Sequence, residues 1–475
     1  MMPAPAGPLA TLAALLGPGV VSTDPAELEP LLTDHRGLYR GKALALATPR
    51  SVEQVSRILA FCNTMRIGVV PQGGNTGYCG GATPDETGSQ LLLSLRRLAA
   101  IRSVDPLNYS LVAEAGCLLA QVQRSAAAVD RFFPLSLGSE GSCQIGGNLS
   151  TNAGGTQVLR YGMARDLVLG LEVVLPDGRL LSSLSSLRKD NTGYDLRSLF
   201  IGAEGTLGVI TAASLKLYPQ PESTATAFIA VPDPHSAVGL LARLRSATGD
   251  QLSSFELMPR LALELVLQHI HGTRAPLATG SPWYLLCEVT SSRPGEPLDA
   301  LLEQALATAL EDGLVTDAAL ARSESDRQAF WRIRESIPEA QRRDGASLKH
   351  DVSVPVASLP EFLMQASAWV AQHVPEGRLV AYGHVGDGNL HFNINQAADS
   401  AAPRLAAREA EIRRAIHDLV RGFDGSFSAE HGIGRLKVGE LARYAPPVEL
   451  ALMHAIKRSL DPNGIMNPGK VLNHE

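Results

Sequence analysis

A glycine-rich segment in the second half of the chain holds two histidines at a spacing that can bring them together. It reads Gly383-His384-Val385-Gly386-Asp387-Gly388-Asn389-Leu390-His391-Phe392-Asn393. If Asp387-Gly388 forms the centre of a hairpin turn, His384 lies opposite His391 on one face of the hairpin. Asn393 points to that face too, because side chains alternate along a strand. Two facing imidazoles can share a metal ion, and a polar hairpin with two unrelated histidines remains the alternative on spacing alone.

The segment Glu430-His431-Gly432 supplies a carboxylate and another imidazole. Adjacent side chains of an extended segment point in opposite directions, so we assign Glu430 as a metal ligand and His431 as the base beside it. Glu430 completes a site with His384 and His391, since two imidazoles and one carboxylate can hold zinc and leave a position for substrate. The same ligands suit manganese, cobalt or iron. A helix cap or a salt bridge remains the ordinary role of a lone glutamate.

Two basic residues could hold an acidic substrate beside such a metal. Arg334 lies in the predicted helix 326–341, and Lys349 lies in the predicted strand that follows it. Arginine binds a carboxylate through its planar fork, and lysine acts as a point charge. Each of them is an ordinary surface charge if it is taken alone. Near a metal, we expect both to bind the substrate, together with Asn393.

Three segments of small residues in the first half predict a large ligand that lies against the backbone. The segment 71–77, PQGGNTG, follows a predicted buried strand, and its glycines leave backbone N–H groups able to face an anion. It is neither a GxGxxG nor a Walker sequence, so neither nucleotide motif gains support. The segments 142–155 and 202–208 also give up side-chain packing, which lets a ligand approach the chain closely. Together the three segments predict an extended ligand such as a dinucleotide.

Alternating helix and strand patterns predict the elements that position these segments. The main predicted elements are helices over 51–65, 234–247, 297–311, 326–341 and 448–460, and strands or hairpins over 67–71, 91–95, 110–116, 167–183, 208–218, 348–354 and 378–395. A sheet covered on one face by helices is the simplest packing for the second half, so the fold class is predicted as α+β. The predicted parts are a lead-in over 1–40, a first domain over 41–219, a second domain over 220–445 and a C-terminal segment, 446–475, that returns to the first domain.

Composition indicates an ordinary folded protein with small-molecule chemistry. The 475 residues are 45% hydrophobic and 19% charged, and the net charge is −6 without a lysine- or arginine-rich run, which argues against a nucleic-acid partner. Five scattered cysteines suggest buried thiols in a reducing compartment. The apolar stretch 9–21 has no basic residue before it and is interrupted by Gly17-Pro18-Gly19, unlike a signal peptide or membrane span. We therefore expect a cytoplasmic protein.

Four strings taken together resemble the FAD domain of the vanillyl-alcohol oxidase and p-cresol methylhydroxylase group. They are GGNTG at 73–77, SCQIGGNLSTNAGG at 142–155, LRKDNTGYDL at 187–196 and IGAEGTLGVIT at 201–211. The resemblance extends from about residue 40 to Val471 and implies a two-part FAD-binding domain plus a substrate-binding cap domain with an antiparallel sheet covered by helices. The residues it assigns to FAD are Gly73, Gly74, Asn75, Thr76, Gly77, Ser142, Gly146, Gly147, Asn148, Thr151, Glu204, Gly205, Ile210 and Asn467. These loops hold no histidine for covalent attachment, so the FAD is expected to be non-covalent.

The strings GDGNLH and EHG resemble the D-2-hydroxy acid dehydrogenase branch of the same group. Phe392-Asn393 follows the second histidine as in the hydroxyglutarate-oxidising members, whereas the lactate and glycolate enzymes commonly carry proline there. The resemblance implies zinc ligands at His384, His391 and Glu430, a base at His431, and substrate-binding residues at Arg334, Lys349 and Asn393. One position departs from some relatives: Pro338 stands where they carry a hydroxyl side chain, and Ser336 is a nearby hydroxyl.

The expected activity is oxidation of D-2-hydroxyglutarate, and also of D-malate, to the 2-oxo acid with hydride transfer to flavin N5. A D-lactate or glycolate dehydrogenase with the same machinery is the first alternative. A flavin transferase without net redox change, similar to alkyl-dihydroxyacetonephosphate synthase, is the second. The electron acceptor stays open between oxygen, a quinone and an electron-transfer flavoprotein, and the resemblance suggests a homodimer.

Overall fold

The structure is a computed structural model that describes residues 7–278, 280–398 and 405–473. Its contacts divide the chain into two compact units. Unit 1 comprises residues 1–154, 163–220 and 430–475, and unit 2 comprises residues 155–162 and 221–429. The chain thus returns to unit 1 at Glu430, whereas the sequence analysis set this return at 446.

The strands are, in chain order, β1 (Val21–Ser22), β2 (Ala45–Ala47), β3 (Val69–Gln72), β4 (Leu91–Ser94), β5 (Ile101–Asp105), β6 (Ser110–Glu114), β7 (Arg131–Phe132), β8 (Val168–Val174), β9 (Leu180–Ser183), β10 (Val209–Lys216), β11 (Tyr218–Pro219), β12 (Ser223–Val231), β13 (Leu252–Pro259), β14 (Trp283–Ser291), β15 (Asp317–Leu320), β16 (Gly345–Leu348), β17 (Asp351–Ser353), β18 (Arg378–Tyr382) and β19 (Asn389–Ala397).

The helices are α1 (Pro8–Leu16), α2 (Pro25–Leu28), α3 (Val52–Met65), α4 (Leu119–Ala127), α5 (Ile145–Ser150), α6 (Val158–Tyr161), α7 (Arg197–Phe200), α8 (Pro234–Thr248), α9 (Arg260–His269), α10 (Leu298–Glu311), α11 (Glu324–Asp344), α12 (Leu359–His373), α13 (Glu409–Gly422), α14 (Val438–Tyr444) and α15 (Pro447–Leu460).

Unit 1 contains a small, mostly parallel sheet and a larger antiparallel sheet. The first has the order β1-β2-β4-β3, in which β4 runs parallel to both β2 and β3. The second has the order β5-β6-β10-β8-β9 and is antiparallel throughout. Helix α3 begins after Ser51, whose side chain accepts a hydrogen bond from the Gln54 N–H, and it buries an apolar stripe from Val55 to Cys62. The helix that the sequence predicts over 51–65 is therefore confirmed.

Unit 2 is built on an antiparallel sheet with the order β13-β14-β12-β15. Alternate side chains of β12 enter two different apolar clusters: Ala227 and Ile229 pack with α8 and α10, while Phe228 and Ala230 pack with α9 and α11. Helices therefore cover both faces of this sheet. The prediction that they cover one face is wrong, because β12 to β14 are apolar on both faces and each face must be removed from water.

A second antiparallel sheet of unit 2 carries the polar residues that the sequence analysis singled out. Its long strand β19 pairs with β16 and β17 along one edge and with β18 along the other. Elsewhere, all five cysteines are buried thiols, as predicted. Among the helices that the structure describes, none combines the length and the hydropathy needed to cross a bilayer.

Candidate active site

Strand β19 presents a polar face and an apolar face. Leu390, Phe392 and Ile394 are fully buried in the core of unit 2. The alternate positions are Asn389, His391, Asn393 and Asn395, whose side chains occupy the opposite face. The strand thus places one row of amide and imidazole groups, which can form hydrogen bonds or bind a metal, on the face opposite the apolar core.

The hairpin register differs from the one that the sequence predicts. Tyr382, not His384, lies opposite His391, and residues Gly383 to Gly388 form the connecting loop. The predicted two-residue turn at Asp387-Gly388 is wrong because Gly383 leaves the hairpin ladder and exchanges two backbone hydrogen bonds with Leu257 of β13. The expected proximity of the two imidazoles is nevertheless present, since the ring centroids of His384 and His391 are 5.7 Å apart.

A buried carboxylate joins His384 to Arg334. Glu256 on β13 is 1% exposed, and its Oε1 lies 2.5 Å from Nδ1 of His384. Its Oε2 accepts a hydrogen bond from Nε of Arg334 at 2.7 Å. Burial favours the protonated acid, but His384 and Arg334 outweigh burial and lower the pKa of Glu256 to about 2. Glu256 was not predicted from the sequence, although a lone glutamate in a largely apolar strand is a signal that could have found it.

Helix α11 places Arg334 over the polar face of the second sheet. Its buried stripe includes Arg334 and, two turns later, Gln341. The Arg334 guanidinium carbon lies 4.8 Å from the centre of the Tyr382 ring. Gln341 accepts a hydrogen bond from the Asn393 amide at 3.1 Å and donates one to Asn395 Oδ1 at 2.7 Å. Helix α11 therefore carries Arg334 and, through Gln341, holds the Asn393 amide on the same face of the sheet.

Lys349 lies in the short break between β16 and β17. Leu348 pairs with Ile394 on one side of this break, and Asp351 pairs with His391 on the other. Both pairs imply the same register, which sets Lys349 opposite Asn393. The Lys349 side chain is exposed. Asp351, which the sequence analysis did not single out, is 3% exposed and accepts a hydrogen bond from the Asn389 amide at 3.0 Å.

Unit 1 holds the segment around His431 through a second carboxylate, that of the half-buried Glu204. Oε1 and Oε2 of Glu204 accept hydrogen bonds from the backbone N–H groups of Ile433 and Gly434 at 2.7 and 2.8 Å. Burial raises the pKa of Glu204, and the two N–H groups oppose that rise. His431 itself packs edge-on against the Tyr78 ring, with ring centroids 4.7 Å apart. A ring nitrogen of His431 lies 3.6 Å from the carboxylate of Glu430. Burial raises the pKa of Tyr78, and the negative charge of Glu430 raises it further.

A cleft of about 920 Å³ in unit 1 is lined by the glycine-rich segments. The predicted cofactor residues that line it are Gly73, Gly74, Asn75, Thr76, Gly77, Gly146, Gly147, Asn148, Thr151, Glu204, Gly205 and Ile210. His431 lines the same cleft. Ser142 and Asn467 are not among the lining residues, but the Ser142 carbonyl lies against Gly74, and the Asn467 amide donates to the carbonyls of Gly81 and Glu204.

The lining of this cleft fits an extended polar cofactor. A methyl group added at Gly77 or Gly147 would meet no atom within 4 Å, so both glycines leave their side-chain space to a ligand. Among the residues that line the cleft, three buried side-chain oxygens lack a hydrogen-bond partner within the part of the chain that the structure describes: Gln72 Oε1, Gln144 Oε1 and Asn148 Oδ1. Buried polar atoms of this kind normally have a partner, which a bound cofactor would supply.

The structure therefore gathers the predicted site residues into two groups. His384, His391, Arg334, Lys349 and Asn393 belong to unit 2, four of them on or over the polar face of β19 and Lys349 at its edge. Glu430 and His431 belong to unit 1, where His431 borders the cleft. Pro338 lies in α11 one turn beyond Arg334 and is exposed, and Ser336 is half-buried.

Two family models together match most of the chain. The model described as FAD binding domain matches residues 43–183, and the model described as FAD linked oxidases, C-terminal domain, matches residues 220–471. The D-2-hydroxyglutarate dehydrogenase, mitochondrial, of Bos taurus is 43% identical over 461 residues, covering 96% of this chain and 81% of the relative. The protein of the same name from Arabidopsis thaliana is 40% identical, covering 97% and 80%.

The fold is also found in a solved structure, that of p-cresol methylhydroxylase with substrate bound. The TM-score is 0.75 at 18% identity, over 98% of this chain and 96% of that one. The predicted α+β class and the flavoprotein resemblance are thus confirmed. The expected cytoplasmic location is contradicted, because the relatives from Bos taurus and Arabidopsis thaliana are named as mitochondrial proteins. Cysteine usage indicates a reducing environment, but it cannot distinguish between compartments that provide one.

Proposed function

Because the chain belongs to the FAD-linked oxidases, and among them to the D-2-hydroxyglutarate dehydrogenases, we propose that it oxidises D-2-hydroxyglutarate to the 2-oxo acid with a divalent metal and a histidine base. D-malate, which is one methylene shorter, is the second substrate. The observation that carries the proposal is the polar face of β19 in unit 2, where imidazole, amide and guanidinium groups converge.

The cleft of unit 1 would hold the FAD without a covalent bond. Its glycines leave room for the cofactor, and the unpartnered oxygens of Gln72, Gln144 and Asn148 would accept hydrogen bonds from it. Bound FAD supplies the hydride acceptor, flavin N5, which no side chain can replace. Non-covalent attachment is proposed because the glycine-rich segments 71–77, 142–155 and 202–208 contain no histidine of their own.

The metal would be held by His384, His391 and Glu430. The donor set suits zinc, because the two imidazole rings lie edge to face with centroids 5.7 Å apart, and Glu256 occupies Nδ1 of His384 and so leaves Nε2 for a metal. Glu430 would complete the donor set with a carboxylate. Bound zinc would fix the substrate hydroxyl and lower its pKa.

Three side chains would bind the substrate carboxylates. Arg334 approaches from α11, and Lys349 lies opposite Asn393 at the edge of the polar face. A dicarboxylate needs two cationic or hydrogen-bonding contacts, since unpaired anions are costly in a partly dry pocket. This charge pattern suits hydroxyglutarate better than lactate, which has a single carboxylate.

His431 would take the proton of the substrate hydroxyl on a ring nitrogen. It borders the cofactor cleft, and Tyr78 and the Glu204-bound segment hold its ring in place. A base in this position serves the reaction because loss of the hydroxyl proton must accompany transfer of the hydride. The proposal also includes an external electron acceptor, a quinone or an electron-transfer flavoprotein, and a homodimer.

Steady-state assays with a dye as electron acceptor test this proposal. D-2-hydroxyglutarate should give the highest kcat/KM, D-malate a lower one and D-lactate the lowest. Activity should disappear after treatment with a chelator and return with zinc. A preference for D-lactate would reassign the chain to the lactate branch, and full activity in protein shown by elemental analysis to be metal-free would remove the metal from the mechanism.

A further inference from the structure

We propose that Glu256 is a positioning residue that serves the metal and the substrate at once, by fixing both His384 and Arg334. The inference rests on the proposed function, since it assigns these two residues to metal and substrate. Glu256 has no role in any motif of the chain, and its partners lie far from it in sequence. What identifies it is the geometry of its two carboxylate oxygens.

Both oxygens of Glu256 are used, and by different parts of the site. Oε1 lies 2.5 Å from His384 Nδ1, and Oε2 lies 2.7 Å from Arg334 Nε. The backbone bridge between Leu257 and Gly383 sets the His384 loop directly beside β13, which makes the first contact possible. One side chain thus joins a sheet, a loop and a helix.

Burial of the Glu256 carboxylate costs desolvation free energy, which a functional role of the carboxylate would explain. It faces the same side of β13 as Met258, which packs in the apolar cluster with Ile333 and Ile337 of α11. A buried ion pair at such a place adds little net stability compared with apolar packing, because desolvation offsets the attraction. Apolar residues in place of the whole ion pair would serve the fold equally well, so the presence of the carboxylate and its partners is the feature to explain.

The first effect of Glu256 is on the tautomer of His384. A carboxylate can only accept hydrogen bonds, so the proton of a neutral His384 must lie on Nδ1. Nε2 then keeps its lone pair and becomes the nitrogen that can bind a metal. Carboxylate–imidazole pairs of this kind orient metal-binding histidines, and their loss typically weakens metal binding by about 10-fold to 100-fold.

The second effect is on the plane of the Arg334 guanidinium. Holding Nε fixes the side chain above Tyr382, 4.8 Å from its ring centre, and Tyr382 in turn packs on His391 with ring centroids 5.0 Å apart. The contacts run from His384 through Glu256, Arg334 and Tyr382 to His391. They form a closed loop, because the His391 ring lies beside that of His384. A disturbance at Glu256 should therefore reach both imidazoles and the arginine.

Glu256→Gln is the informative substitution because glutamine can serve only one of the two donors. Its amide oxygen can accept from His384 or from Arg334, and its NH₂ group then faces the other donor. Glu288→Gln is the matched control. Glu288 is also a buried carboxylate of this sheet, and it is held by side chains of the same helix, Arg327 and Trp331, but it contacts no site residue.

The first readout is zinc affinity of the full-length, metal-stripped protein with its FAD, measured by competition with a chromogenic chelator. Zinc affinity of Glu256→Gln should fall by about 10-fold to 100-fold, and that of Glu288→Gln should match the wild type. At zinc concentrations that saturate the variant, KM for D-2-hydroxyglutarate should remain about tenfold raised. Unchanged zinc affinity in Glu256→Gln would overturn the proposal.

A second variant covers the case in which Glu256→Gln does not fold. Glu256→Asp keeps the buried charge but withdraws it by one methylene from His384, so it should weaken zinc binding to a smaller extent. Wild-type affinity in Glu256→Asp, when Glu256→Gln is insoluble, would leave Glu256 with a purely structural role and refute the proposal. If the wild-type protein itself binds no metal, the proposed function fails first, and this result differs from a failure confined to the variants.

Discussion

The half-buried side chain of Glu204 should govern how firmly His431 is held beside the cofactor cleft. The change to test is Glu204→Gln, which keeps the size of the side chain. Each carboxylate oxygen of Glu204 accepts one backbone N–H, from Ile433 at 2.7 Å and from Gly434 at 2.8 Å. In the variant the amide oxygen can accept only one of these bonds, and the NH₂ group faces the other N–H.

The size of the effect follows from these two bonds. A hydrogen bond to a charged group contributes about 1.5–3 kcal/mol, and a buried donor left without a partner costs about 1–3 kcal/mol. Removing the costly burial of the charge, which raises the pKa of Glu204, offsets part of this loss. We expect local opening of the segment 430–434 to become easier by about 3 kcal/mol, or roughly 150-fold in the opening equilibrium.

Hydrogen–deuterium exchange of peptides that cover Ile433 and Gly434 measures this opening directly. Protection in these peptides should fall strongly in Glu204→Gln, and kcat should fall with it because the base is less well placed. Glu449→Gln, at an exposed position of α15, is the control and should change neither. FAD absorbance in the same samples separates a loosened segment from a lost cofactor. Exchange as slow as in the wild type would refute the reasoning.

Three further changes have distinct expected results. His391→Ala should abolish zinc binding and turnover but leave FAD bound, which elemental analysis and flavin absorbance check together; full turnover in metal-free variant would exclude the metal role. Gly147→Val should fold with a lower FAD content, because its side chain enters open space in the cleft, and an FAD content equal to the wild type would contradict this. Burial lowers the pKa of Lys470 from 10.5 to about 8. The folded state therefore binds this proton less tightly than the unfolded state does. As a result, the free energy of unfolding rises as pH increases from about 8 to about 10.5. Lys470→Met should therefore raise the melting temperature at pH 7, where the buried charge costs about 3 kcal/mol, and raise it less at pH 10.5; equal gains at both pH values would disprove the assignment.

Local patterns predicted the parts of the site that depend on local structure. The alternation of apolar and polar residues along β19 indicated which side chains share a face, and the apolar spacing of 326–341 indicated the helix that carries Arg334. The glycine-rich segments indicated a large ligand, and they line the cleft of unit 1. In each case the information lies within a few residues of the feature.

Contacts between distant parts of the chain could not be predicted in this way. The hairpin loop widens because Gly383 bonds to Leu257, and nothing within the segment 383–393 encodes that partner. Glu256 looks like an unexplained charge in an apolar strand until the fold brings His384 and Arg334 to it. Both sheet faces of unit 2 are covered for a similar reason, since helix placement depends on which apolar surfaces remain after the strands have paired.

Anaerobic mixing of the purified holoenzyme with substrate tests the central proposal most directly. D-2-hydroxyglutarate should bleach the flavin absorbance rapidly in single turnovers, and the L-enantiomer should leave it unchanged. Prior treatment with a chelator should abolish the bleaching, and added zinc should restore it. A bound flavin that D-2-hydroxyglutarate does not reduce, with metal present, would contradict the proposed substrate and mechanism.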